Sequence, residues 1–235
     1  MKAAGERQSE RFDGPIAVLA DIAANVEALE ATLVGCKQAG AAAVFVAGGI
    51  AHRGQSPLAV WKLLQEHGAR LARGTPDMAL ATITTRDVTP RDEQQRAALA
   101  RLEKTREELG EVIIARLRRL PDVFRVELGS GAELAVMYGS PRDPMTPLEL
   151  HLTDDELLVL VGDDTADVIV SGGAGVPFVR PLDGLTVVGA GSVGDAPENR
   201  GVERASGGQP NRAAHFVLVS PSDEGLRIEP RWVLY

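Results

Sequence analysis

Between residues 16 and 29 the chain runs apolar, reaches a single acid, turns and starts an amphipathic helix, and this stretch restricts the fold more than any other. Residues 16–20 form a continuous apolar run too short for a buried helix, as expected of a strand covered on both faces. Asp21 ends the run. Asn25 stands where a helix cap belongs, and Val26, Leu29, Leu33 and Cys36 recur on one helical face. The pattern then repeats. Residues 42–47 read as a second strand, Ser56 and Pro57 open a helix to Glu66, and residues 69–72 read as a third strand leading into Arg73-Gly74-Thr75-Pro76-Asp77. Strands alternating with helices predict parallel neighbours joined by right-handed crossovers. Asp21 then lies at the carboxyl end of a strand, where open α/β sheets place their ligands.

Residues 89–120 are strongly helical and charged, and Gly110 divides them. Leu99, Leu102, Thr105, Arg106 and Leu109 define one modest apolar face, and Val112, Ile113, Leu117 and Leu120 a stronger second one. We expect a helical cap over the sheet edge, ended by Pro121. The second half is dominated by short strands, at 123–128, 133–138, 167–170, 178–181, 185–188, 214–219 and 226–234, with one helix at 153–161. A hairpin turn at 129–132 joins the first two. This pattern predicts a second, more antiparallel sheet. Residues 194–212 are rich in Gly, Asn, Pro and charge and read as a mobile loop, and residues 1–14 as a flexible leader to a single domain at 15–235.

The net charge of -8 leaves no basic surplus for a phosphate backbone, so nucleic acid is not an expected partner. No run reaches the roughly 18 apolar residues of a membrane span, and residues 1–13 lack the apolar core of a signal peptide. The cytoplasm is the expected compartment, with no membrane partner. Cys36, the single cysteine, cannot form an internal disulfide and reads as a small buried hydrophobe.

Five loops follow strand ends in order: Asp21-Ile22-Ala23, Gly48-Gly49, Gly74-Thr75-Pro76-Asp77, Tyr138-Gly139-Ser140-Pro141-Arg142-Asp143 and Gly172-Gly173-Ala174-Gly175. In order and setting the chain resembles the calcineurin-like metallophosphoesterases of the small bacterial branch. Their signature runs Asp-x-His, Gly-Asp, Gly-Asn-His-Asp/Glu, His-Gly-Ser-Pro and Gly-His-x-His. Flanking text agrees too, at Asn25-Val26-Glu27-Ala28-Leu29, Val176-Pro177-Phe178 and Gly191-Ser192-Val193-Gly194. The resemblance implies an α/β fold, a four-layer αββα sandwich of two mixed β-sheets flanked by helices. It also implies two divalent cations, held by those acids, histidines and the asparagine.

Carried over position by position, most of that set is missing. Asp21 matches the first aspartate. The histidine two residues on is Ala23, the bridging aspartate is Gly49, and the asparagine is Thr75. The histidine before Gly-Ser-Pro is Tyr138, the last pair are Gly173 and Gly175, and the histidine that protonates the leaving group is Pro76. Cations about 3.5–4 Å apart need several carboxylate and imidazole ligands to offset their repulsion and dehydration. One carboxylate does not supply that. The expectation is a degenerate member lacking the metal ligands, a pseudoenzyme with no metal, no cofactor and no catalytic residue.

The pocket residues to examine are Asp21, Asn25, Gly49, Arg53, Thr75, Asp77, Tyr138, Arg142, Gly173 and Gly175. A buried Asp21 without cations needs other partners, and Arg53, Arg142 or helix N–H groups are the expected ones. Asp77 reads as a loop or capping acid. Of the histidines, His52 lies next to the second loop and either faces the old pocket or, beside an arginine, is the more usual solvated loop residue, His67 reads as a helix end, and His151 and His215 as remote from these loops. Three functions follow: a scaffold or regulatory subunit for a protein partner, a sensor of an anionic small ligand or nucleotide in the vacated pocket, or a divergent phosphoesterase.

Overall fold

The computed structural model describes residues 10–129, 131–201, 211–223 and 225–235. The expected leader lies outside these at 1–9, as does the middle of the expected mobile loop at 202–210 and Ser130 of the hairpin turn. The strands are β1 (Glu10–Phe12), β2 (Ile16–Leu19), β3 (Ala43–Val46), β4 (Arg70–Leu71), β5 (Val123–Leu128), β6 (Ala132–Met137), β7 (Val168–Ser171), β8 (Pro177–Leu182), β9 (Leu185–Ala190), β10 (Ala213–Ser222) and β11 (Gly225–Leu234). The helices are α1 (Val26–Gln38), α2 (Pro57–Glu66), α3 (Thr75–Thr82), α4 (Glu93–Arg119) and α5 (Asp154–Val161).

Two mixed sheets face one another. One has the order β11-β10-β2-β3-β4, the other β1-β5-β6-β7-β9-β8. Side chains alternate across each strand. From β2, Ile16 and Val18 enter the core between the sheets, while Ala17 and Leu19 face the layer of α1 to α4. The inner core also takes Phe45, Val136, Val170, Val188 and Val217, and α5 covers the far face with Leu157 and Val161 on Ile169 and Val187. The four-layer αββα sandwich is thus present.

Several local expectations differ from what forms. Glu10–Phe12, within the supposed leader, is a strand paired parallel with β5. Phe12 packs edge-on against Phe45, which holds it in place. The last two strands do not extend a second sheet. β10 pairs antiparallel with β2 and so completes the first sheet. Residues 75–82 are a helix where a loop was expected, begun by Gly74 as cap and Pro76 in its first turn. Ser56 caps α2 by position only, its side chain accepting no bond from the first-turn N–H groups.

In α4 the Gly110 backbone is left-handed, with φ 72°, and the helix is broken there. The break rotates the second stripe. Ile114 and Leu117 are buried, and Val112, expected inside, is 70% exposed. Arg106 and Arg118 reach from α4 to the carbonyls of Leu80, Ile83 and Ala81, satisfying acceptors at the end of α3. Among the described residues no helix is long and apolar enough to cross a membrane.

Candidate functional site

The loop after β2 carries the first candidate in an unusual backbone. Asp21, Ala23 and Ala24 all have φ near 50°, in the left-handed region that side chains with a Cβ disfavour. Neighbouring loops hold them there. The N–H groups of Asp21, Ala23 and Ala24 donate to the carbonyls of Gly48, Gly49 and Ile50, and those of Val193 and Gly194 donate to Ala20 and Asp21. Asn25 then caps α1 by accepting from the Ala28 N–H, while its amide donates to the Tyr235 hydroxyl at 3.1 Å.

Asp77 fixes the second and third loops together. It is fully buried, and its carboxylate accepts from the N–H groups of Gly49, Ile50 and Gly74 at 2.8–2.9 Å. Burial raises its pKa, and the backbone donors oppose that rise. It stands behind the pocket wall as a clasp between loops and does not line the pocket.

Tyr138 occupies the centre. Its hydroxyl donates to Asp21 Oδ1 at 2.9 Å, and the Gly173 N–H also bonds the Asp21 carboxylate. The ring lies in a slot floored by glycines from three loops. A Cβ on Gly48, Gly74, Gly172 or Gly173 would approach ring atoms of Tyr138 to 2.6, 2.5, 3.0 and 3.1 Å respectively. Each lacks a side chain where the ring passes. Gly49 is closed in another way, since a Cβ there would lie 2.4 Å from Asp21 Oδ1 and 2.7 Å from Asp21 Cα.

Around this centre is a cavity of about 330 Å³. Six of the residues singled out in the sequence line it: Asp21, Gly49, Arg53, Tyr138, Gly173 and Gly175. Asn25, Thr75, Asp77 and Arg142 do not. Asn25 faces a neighbouring depression, Thr75 reaches Met145 Sδ at 3.9 Å, and Arg142 lies against Gly162 beyond the end of α5. The partners of Asp21 are therefore a phenol and the loop N–H of Gly173, where Arg53, Arg142 or helix N–H groups were expected. Arg53 instead pairs with Asp195 at 3.0 Å, and Arg200 approaches the same oxygen at 3.7 Å.

Asp195 and Arg200 are pocket residues that the sequence reading missed, because residues 194–212 read as mobile. Next to them, the Asn199 side chain makes two bonds to the Ala213 backbone, at 2.7 and 2.9 Å. His52, expected on balance in solvent, is half-buried on the cavity wall, and burial followed by the Arg53 and Arg101 charges lowers its pKa. His215 is not remote either. It is buried behind Ser192, pairs with Glu198 at 2.9 Å, and donates its N–H to the Ser192 carbonyl.

Burial raises the Asp21 pKa to about 6, against the partial relief from Tyr138 and Gly173. Below about pH 4 the group is protonated in folded and unfolded chains alike and contributes nothing to the pH dependence. Between there and its folded pKa the native state holds a proton that the unfolded chain releases, so stability falls as pH rises. Above it the charge is confined, at a cost of about 2 kcal/mol after allowing for partial solvent access. Asp21→Asn is therefore expected to stabilise the protein at pH 8 by about that amount and by little at pH 4. Urea unfolding at the two pH values checks this, and a gain that does not vary with pH would refute it.

No family model matches the chain, and no curated protein sequence matches it. Solved structures do. A hypothetical protein of Pyrococcus horikoshii OT3 superimposes with a TM-score of 0.72 at 23% identity, covering 94% of this chain and 88% of that one. A metallophosphoesterase of Sphaerobacter thermophilus gives a TM-score of 0.66 at 18% identity, covering 93% and 88%. This chain has the metallophosphoesterase fold. A novel archaeal phosphodiesterase gives 0.51 at 13% identity, covering 94% and 99%.

That fold implies a pair of divalent cations, and the residues present do not suit them. Among the described residues no three His, Cys, Asp or Glu side chains cluster as metal ligands. The Asp21 carboxylate is engaged by Tyr138, and Gly49 has no room for the bridging acid of the motif. The loops that follow the strand ends come together here, and the Tyr138 ring lies between them beside the cavity.

Proposed function

We propose that this protein is a metal-free pseudoenzyme of the metallophosphoesterase fold, working as a scaffold or regulatory subunit for a protein partner in the cytoplasm. The observation that carries the reading is the Tyr138 ring in its glycine slot, hydrogen-bonded to Asp21. A hydroxide made nucleophilic by cations, and a Lewis acid on the phosphoryl oxygen, both need ligands that these loops do not present. The imidazole that would protonate the leaving group is replaced by Pro76, which offers no proton. Support for a protein partner comes from the α5 layer, where Leu150, Leu158 and Val159 are 50%, 43% and 63% exposed.

The test is metal analysis of the purified chain together with a manganese-supplemented assay on a generic phosphodiester. Substoichiometric metal and no turnover above buffer are expected. Stoichiometric metal, with turnover abolished by Asp21→Ala, would make the protein a divergent phosphoesterase and end this reading.

A second reading is favoured by one specific observation. Arg53 and Arg200 converge on Asp195 at the mouth of the Asp21 cavity, and an anionic small ligand could take over one of these guanidinium groups. On that reading the protein is a sensor. Inorganic phosphate should then raise the melting temperature, and Arg200→Ala should remove the rise.

A further inference from the structure

A second cavity, of about 910 Å³, lies between the turn before α2 and the first half of α4. Its α4 wall is one helical face, on which Gln94, Ala98, Arg101, Thr105 and Glu108 recur at steps of three and four. The opposite wall is formed by His52, Arg53, Gly54, Gln55 and Pro57. The two cavities share only His52 and Arg53, so most of this groove lies outside the loops that resemble the motif.

The charge of the groove is opposite to that of the chain. The protein carries -8, yet Arg53, Arg101 and Lys104 line the groove against a single acid, Glu108. That acid faces the Leu58 N–H at 3.5 Å, at the start of α2, and Arg53 is engaged by Asp195. Arg101 and Lys104 form no ion pair with any described residue. His52 stands within the field of both Arg53 and Arg101, and their charges join burial in disfavouring its protonation. Arg101 and Lys104, which have no carboxylate partner, repel one another, and an anion bound between them removes that repulsion. Ala98, Pro57 and Leu102 supply an apolar surface in the same cavity.

We propose that the groove between α2 and α4 binds an organic polyanion of nucleotide size, its phosphates on Arg101 and Lys104 and its flat apolar part against Ala98, Leu102 and Pro57. The volume is that of a small-molecule site, which typically measures about 300–1,000 Å³, and the concave walls suit a compact ligand better than an extended peptide. The site stands whether or not the Asp21 cavity has any activity.

ATP serves as the probe, titrated calorimetrically into the full chain in EDTA at low salt. Saturable binding is expected, weakened at least about tenfold in the Arg101→Glu, Lys104→Glu double variant. Arg96→Glu, on the same helix but in a residue paired with Glu93, should change it by less than about threefold. Both sets of substitutions are at exposed positions, so circular dichroism should show an unchanged fold. Absence of ATP binding overturns the proposal, as does binding indifferent to the double reversal. A pentaglutamate peptide that binds where ATP does not would assign the groove to an acidic protein segment and equally overturn it.

Discussion

Gly74→Ala is expected to destabilise the protein by about 2 kcal/mol, and to cost distinctly less when made in a Tyr138→Ala background, whatever Tyr138→Ala itself costs. The backbone of Gly74 is ordinary, at φ -104° and ψ 175°, so alanine meets no conformational objection there. Alanine is a poorer N-cap than glycine, a loss of about 0.5–1 kcal/mol that is the same with or without the Tyr138 ring and so cancels in the cycle. What the new methyl meets is the ring, with Tyr138 Cδ2, Cγ and Cε2 at 2.5, 2.6 and 2.9 Å. The cost is overpacking against one side chain, and removing that side chain relieves it. A double-mutant cycle in urea should give a coupling of at least about 1 kcal/mol. Additive losses would mean that the ring does not occupy the slot, and the main support for a metal-free interior would go with it. Gly48→Ala is a poorer probe, because it also meets the Gly74 backbone at 2.6 Å and sits at φ 97°.

Asp77→Ala should be more damaging, with a loss of about 3–5 kcal/mol. The fully buried carboxylate accepts from Gly49, Ile50 and Gly74, and alanine strands all three N–H groups away from water. Each stranded donor costs about 1–3 kcal/mol before any relaxation. Asp77→Asn keeps one acceptor oxygen and should lose distinctly less. The ordering is measurable by thermal melting, and an Asn variant as unstable as the Ala variant would show that the carboxylate charge, not its acceptor geometry, holds the loops.

The layered fold was legible because its strands alternate. Ile16 and Val18 against Ala17 and Leu19 assign faces by period alone, and the capping pattern at Asn25 fixes the start of α1. The three-residue β1 was not legible, since so short a strand has no period and is held by Phe12 on Phe45. The sheet to which β10 and β11 belong was not legible either, because the side-chain pattern of a strand does not name its neighbour. α3 could have been found. Gly74 and Pro76 start it as Ser56 and Pro57 start α2, but they were read as part of a loop.

In the site, Asp21, Gly49, Arg53, Tyr138, Gly173 and Gly175 line one cavity. The partner of Asp21 was misjudged. An arginine is the usual companion for a buried acid, whereas a tyrosine ring lying in a glycine slot is a fact of volume that appears only when the loops are assembled. Arg142 was assigned to the pocket by its place beside Gly139-Ser140-Pro141, and its side chain turns the other way, onto Gly162.

The Gly48-Gly49 turn has a consequence for what position 49 can carry. An acid at position 49 would start from a Cβ 2.4 Å from one atom of Asp21 and 2.7 Å from its main chain, at a φ of 73°. A side chain at position 173 would meet other side chains, the Tyr138 ring at 3.1 Å and Pro147 at 3.2 Å. The acid at 49 meets main chain, so the turn must first swing away from Asp21, and the bonds from Ala23 to Gly49 and from Gly49 to Asp77 hold it where it is. At this turn main chain has to move before any side chain at position 49 finds room.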